Sequence, residues 1–166
     1  NKYTFKSITN DILKVLDNEN ILKTHLVGIS LGSIIARNFI FLNPERCKSA
    51  VLGGMVVRVN NISKFLLFAS NFLKAILPAM FLYRVLAKII LPKRNQKDSK
   101  KKYIQEAKKI TQIEFLKWFE TTKEIKSIFK KFKLETKIPI QIIQGAEDLI
   151  FLKDIIRHTR LKSNIK

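Results

Sequence analysis

His25-Leu26-Val27-Gly28-Ile29-Ser30-Leu31-Gly32-Ser33-Ile34-Ile35 is the stretch that decides the fold: a short apolar run, a glycine-flanked serine and a longer apolar run follow without a break. His25-Leu26-Val27 is apolar and partly β-branched, without alternation, and suits a buried parallel strand. The run Ser33 to Leu42 is too long for such a strand, and Asn43-Pro44 stops it as a helix is stopped. Gly28 to Gly32 therefore falls at a strand-to-helix junction. An exposed serine hydroxyl there requires strained backbone angles and close approach of strand and helix. Gly28 and Gly32 are thus expected to remove side chains that would collide, and Ser33 is small for the same reason. The spacing matches the Gly-x-Ser-x-Gly nucleophile elbow, which makes Ser30 a candidate nucleophile. The bland alternative is a glycine-bearing turn with an incidental serine.

Upstream, Phe5, Ile8, Ile12, Val15 and Leu16 recur at helical spacing, so Ser7 to Asn18 reads as an amphipathic helix capped by Ser7. Downstream, Ser49 to Gly54 resembles a second buried strand. Helix, strand, helix, strand with short connections implies a parallel sheet. Strand signals then vanish. Lys64 to Ile76 and Ala79 to Ile90 are apolar helix candidates separated by Pro78 and closed by Pro92, and a very basic stretch, Lys93 to Lys102, follows. Thr111 to Glu114 and Thr121 to Glu124 each carry a capping-box pattern, and Ile125, Ile128, Phe129 and Phe132 continue at helical spacing. Sheet language resumes at Ile140 to Ile143, with Asp148 in the turn just beyond, and Lys153 to Leu161 reads as a closing helix. The chain divides accordingly into a core segment 1–54, a helical insertion 55–136 and a second core segment 137–166. Ligand sites of open α/β sheets lie past the carboxyl ends of strands, where Ser30 and Asp148 both fall.

The 166 residues are 46% hydrophobic, enough for a buried core and unlike a disordered chain. One cysteine, Cys47, excludes an internal disulfide and a cysteine-based zinc cluster, and no metal or cofactor is expected. A reducing, cytoplasmic setting is the natural expectation. The net charge of +19 first suggests nucleic acid. Its make-up argues otherwise, because 25 of the 32 basic residues are lysines spread along the chain and only seven are arginines, the usual base readers. The reading is a solvated basic surface and no nucleic-acid partner. The only methionines are Met55 and Met80, so Asn1 is not an ordinary translation start and an internal piece of a longer protein is expected.

Over Ser7 to Gly54 and Lys137 to Lys166 the sequence resembles the α/β-hydrolase superfamily, particularly esterases, lipases and carbon-carbon bond hydrolases with a helical lid. The elbow, its helix, the Asn43-Pro44-Glu45-Arg46 turn and the strand after it carry the resemblance. It implies an α/β fold: a partial α/β-hydrolase fold with a parallel sheet core and a mostly helical lid insertion. It further implies that Ser30 is the nucleophile, Asp148 the triad acid and the Leu31 backbone N–H one oxyanion donor, with an acyl-enzyme formed on a small hydrophobic acyl or ester substrate. Ile29 stands where the family commonly has histidine, which leaves the subfamily open. Neither histidine fits the base. His25 precedes Ser30 on its own strand, where a core or edge role is expected, and His158 lies on a helix rather than on a loop after a further strand. The base and the second oxyanion donor are expected outside this chain, so these 166 residues alone are expected to be inactive. Two rivals stand. One is a membrane-surface or anion-binding module making weak contact through the basic apolar lid; Lys74, Arg84 and Lys88 leave no uncharged run near the ~20 residues of a spanning helix. The other is a non-catalytic binding protein on the hydrolase fold.

Overall fold

The structure, a computed structural model, describes residues 3–74, 76–131, 136–148, 150–160 and 165. Three parallel strands, β1 (Thr24–Ile29), β2 (Cys47–Gly53) and β3 (Ile140–Ile143), form one sheet in that order. The α/β class and the parallel sheet follow the sequence expectation. Beyond β3, Ile165 makes an isolated parallel bridge to Ile140. Phe132 and Leu161, which the sequence placed in helices, lie outside the described residues.

α1 (Phe5–Asn18) begins two residues earlier than expected, and its cap is Thr4, not Ser7. Ser7 N–H donates to Thr4 Oγ1 at 3.0 Å and Thr4 N–H donates to Ser7 Oγ at 3.0 Å, so Ser7 is the third helical residue of a capping box that Thr4 opens. The helix ends on Asn20 at φ 54, with Asn20 N–H on Asp17 O and Ile21 N–H on Leu16 O. That pair is a Schellman motif, in which Asn tolerates the left-handed position. α2 (Leu31–Leu42) follows β1 directly, and Asn43 with the turn Pro44–Arg46 ends it. Arg46 then ties three pieces together: its guanidinium donates to Leu22 O at 2.9 Å, to Ile21 O at 3.0 Å and to Asp17 Oδ1 at 2.7 Å.

Leu16, Phe39, Ala50, Leu52, Met55, Ile140 and Ile155 form the main core, which joins α1, α2, the sheet and α8 (Leu152–Thr159). Burying a side chain the size of Phe39 or Leu52 stabilises by roughly 1.5–3 kcal/mol. The sheet is not buried on both faces. β1 alternates, Leu26 and Gly28 facing inward while Val27 and Ile29 are 74% and 71% exposed, so the expected fully buried strand is half-buried here. Asn38, buried on α2, donates through Nδ2 to Phe5 O at 3.2 Å and to Thr9 Oγ1 at 2.8 Å, locking α2 to α1.

The chain separates into two compact units, 1–59 with 123–166, and 60–122. The second is shorter at both ends than the insertion read from the sequence. Met55 and Val57 are buried in the first unit's main core, and Ile125 and Ile128 of α7 (Ile125–Lys131) pack with Phe5 and Ile34 in a smaller cluster of the same unit. The second unit is helical: α3 (Asn61–Leu73), α4 (Ala79–Ile90), α5 (Lys97–Ala107) and α6 (Gln112–Thr121). α5 arises where the sequence showed only a basic stretch. Its apolar positions Tyr103, Ile104 and Ala107 supply a face, and the Tyr103 and Tyr83 rings meet edge to face at 5.9 Å. Thr111 caps α6 through the expected box with Glu114. The second box, at Thr121, does not form. Thr121 is buried at the end of α6 and its hydroxyl donates to Trp118 O at 2.6 Å, while the Glu124 carboxylate accepts the Phe5 N–H at 3.1 Å.

Candidate active site

β1 delivers Ser30 to the carboxyl end of the sheet. Ser30 stands at φ 53, ψ −116, a left-handed conformation unfavourable for a residue with a side chain, and it is exposed. Two bonds hold its carbonyl: Ser33 Oγ donates to Ser30 O at 2.6 Å, and Ser33 N–H at 2.9 Å. Ser33 is fully buried, so the strained carbonyl is pinned by a residue that cannot turn away to solvent. Leu31 opens α2, where its N–H has no carbonyl four residues back within the helix and lies at the positive end of the dipole.

The two elbow glycines differ. A Cβ on Gly28 would lie 2.3 Å from Gly32 O, 2.6 Å from Gly32 C and 2.9 Å from Ser33 N, so strand and helix cross too closely there for any side chain. A Cβ on Gly32 would meet nothing within 4 Å. The expectation that both glycines avoid collision is corrected: Gly32 contributes the backbone that Gly28 must clear, and its own missing side chain faces open space.

A continuous line of hydrogen bonds runs across the strand ends from Ser30 toward Asp148. Ser30 N–H donates to Gly53 O at 2.9 Å, Gly54 N–H to Ile143 O at 3.0 Å, and Met55 N–H to the Gln144 side-chain Oε1 at 2.9 Å. Gln144 Nε2 in turn donates to Asp148 Oδ2. Asp148 Oδ1 accepts from Ile150 N–H at 2.9 Å and Phe151 N–H at 2.8 Å. Ser30 and Asp148 thus lie at the same carboxyl end of the sheet, past β1 and β3 with β2 between them. Two strand spacings put those ends about 10 Å apart.

Neither histidine lies in that line. His25 is exposed on β1, and its Nδ1 and Ser49 Oγ on β2 are 2.7 Å apart, so it is an edge residue. His158 is half-buried in the last turn of α8. Sequence reasoning did not single out Gln144, Asn38 or Arg37. Arg37 is buried on α2, donates from Nη1 to Val56 O at 2.9 Å and stacks 5.3 Å from the Phe129 ring; burial lowers its guanidinium to about 10. Arg58, just beyond β2, pairs with Asp154 of α8 at 2.6 Å. Both arginines fix the segment after β2, whose first residues carry the line from Ser30 to Asp148. A separate cavity of about 560 Å³ opens at the far end of α2, among Phe5, Asn10, Asn38, Leu42 and Ile128, away from Ser30 and Asp148. Among the described residues no cluster of His, Cys, Asp and Glu suits a metal ion, and no helix is long and apolar enough to cross a membrane.

Comparison with known proteins agrees with this architecture. The family model described as serine aminopeptidase, S33, matches residues 4–158. An uncharacterized carboxylesterase, nap, of Bacillus subtilis (strain 168) is 46% identical over 43 residues, which is 26% of this chain and 14% of that protein. Among solved structures, the α/β hydrolase MGS-M2 from a Medee basin deep-sea metagenome library superposes with a TM-score of 0.76 at 19% identity, over all of this chain and 63% of that one. A structure from a study of carboxylesterases of the thaumarchaeon Nitrososphaera gargenis gives 0.71 at 15% identity, over 99% of this chain and 62% of the other. The meta-cleavage product hydrolase CumD of Pseudomonas fluorescens gives 0.66 at 20% identity, over 100% and 62%. The chain therefore spans less than two thirds of the length of these relatives.

Proposed function

The chain belongs to the serine aminopeptidase S33 family of α/β hydrolases, and on that premise we propose that the protein is a serine hydrolase that cleaves a small hydrophobic ester through an acyl-enzyme. The observation that carries this reading is the exposed Ser30 in a left-handed conformation between a strand and a helix, because such backbone strain clusters where function requires it. Ser30 Oγ attacks the ester carbonyl carbon and its proton passes to a base; the Leu31 N–H donates to the resulting oxyanion. Collapse expels the alcohol, which takes the proton, and water then releases the acid by the same route. Asp148 is the acid that orients the base and stabilises its cation. The base itself is assigned to neither His25, whose ring meets Ser49, nor His158, which sits in a helix. In chain order the 60–122 unit takes the place of the lid, and substrate selection is assigned to it.

The test is release of p-nitrophenol from short acyl esters by the full-length protein, paired with fluorophosphonate labelling. Turnover and labelling lost together in Ser30→Ala are the expected result; turnover unchanged in that variant overturns the proposal.

A second reading, weak contact with a membrane surface, is favoured by one observation. Phe65, Phe68 and Phe72 lie on one face of α3 and are 70%, 74% and 69% exposed, with Lys64 beside them. Sedimentation with anionic vesicles across a salt series tests it, and failure to bind at low ionic strength removes it.

A further inference from the structure

Asp148 can serve as the acid only if its carboxylate is held in one orientation, and the residue that holds its second oxygen is Gln144, one residue past β3. Oδ1 takes two backbone N–H groups, from Ile150 and Phe151, which fill both of its acceptor positions. Oδ2 takes Gln144 Nε2. The direction of the Gln144 amide is fixed independently. Met55 N–H can only donate, so Oε1 must face it and the NH2 must face Asp148. Met55 is fully buried in the main core, so this amide is anchored to the packed interior.

We infer that Gln144 is a positioning residue for the reaction. It ties Asp148 Oδ2 to the end of β2, the strand whose Gly53 carbonyl also receives the Ser30 N–H, and leaves one acceptor position on Oδ2 to receive the N–H of the base. The nucleophile and the acid are thereby referenced to the same strand. This rests on the reading of Asp148 as the acid, and the experiment separates the two.

In the full-length protein, Gln144→Leu, Gln144→Glu and Asp148→Asn are compared with the parent in p-nitrophenyl ester turnover from pH 6 to 8, with folding checked by circular dichroism. Gln144→Leu is expected to lower kcat about tenfold or more with KM within about twofold, the size typical of losing a group that orients another. Gln144→Glu adds a readout that a purely structural role would not move. Protonated, the new side chain can accept the Met55 N–H and donate O–H to Asp148; ionised, it sets two carboxylates against each other. Its kcat/KM relative to the parent should therefore rise as the pH falls. Parent-like kcat in Gln144→Leu, or a ratio for folded Gln144→Glu that is flat with pH, overturns the inference while leaving Asp148 in place if Asp148→Asn is inactive. Parent-like activity in Asp148→Asn overturns the acid reading and this inference with it.

Discussion

Gly28→Ala and Gly32→Ala should have opposite effects, although the two glycines look equivalent in the motif. A methyl on Gly28 lands 2.3 Å from Gly32 O, where an ordinary carbon to oxygen contact is about 3.3 Å, so strand and helix must separate by about 1 Å. The atoms struck are backbone atoms of the turn that Ser33 pins, with no flexible side chain to swing away. The cost therefore belongs at the upper end of overpacking, about 3 kcal/mol. A methyl on Gly32 meets nothing, sits in the first turn of α2 and reduces the freedom of the unfolded chain, so it should stabilise by roughly 0.5–1 kcal/mol. With a urea m-value of about 2 kcal/mol/M, the midpoint falls by roughly 1.5 M in the first variant and rises by roughly 0.3–0.5 M in the second. Equilibrium urea unfolding followed by far-ultraviolet circular dichroism reads both. Equal destabilisation by the two substitutions would refute the assignment of the close approach to Gly28 alone.

Asn38→Ala strips the buried donor shared by Phe5 O and Thr9 Oγ1 and should cost about 2–3 kcal/mol in the same assay; a change below about 0.5 kcal/mol would mean the α1 to α2 lock contributes little. Burial pushes the Cys47 thiol up, so it should resist Ellman's reagent at pH 8 until urea opens the fold, and immediate stoichiometric reaction would contradict its place in the core. Hydrogen bonds from Thr111 hold the Glu114 carboxyl below the ordinary glutamate value. The folded group is the stronger acid, so its contribution is complete above the unfolded value and is lost as the pH falls through the folded one. Amide exchange in the first turn of α6 should quicken over that acid window relative to the intrinsic rate, and a Glu114 titration midpoint at or above the ordinary value would refute the cap.

What the sequence revealed is largely what is decided locally. The limits of α4 and β3 follow from Pro78 and Pro92 and from the β-branched run after Pro139, signals that act on adjacent residues. The misses depend on partners far along the chain. Thr121 to Glu124 has the letters of a capping box, but the Glu124 carboxylate is claimed by the Phe5 N–H, 119 residues away. α5 hides behind its lysines because its stabilising face appears only when Tyr103 meets Tyr83. At the site, the strand, the strained serine and the helix start were readable within nine residues. Which glycine faces the helix was not, since it depends on the direction of a Cα–H bond. Nor was Gln144, whose partner Met55 is brought to it by pairing between β2 and β3 across the whole of 54–139.

The backbone of Ser30 has an evolutionary corollary. At φ 53 this residue costs the fold about 1–3 kcal/mol that glycine would not, so Ser30→Gly should make the protein more stable. Drift guided by stability alone therefore runs away from serine at position 30. A lineage that no longer used the hydroxyl would be free to follow that slope, and the residue found at this position in each descendant would record whether its chemistry is still in use.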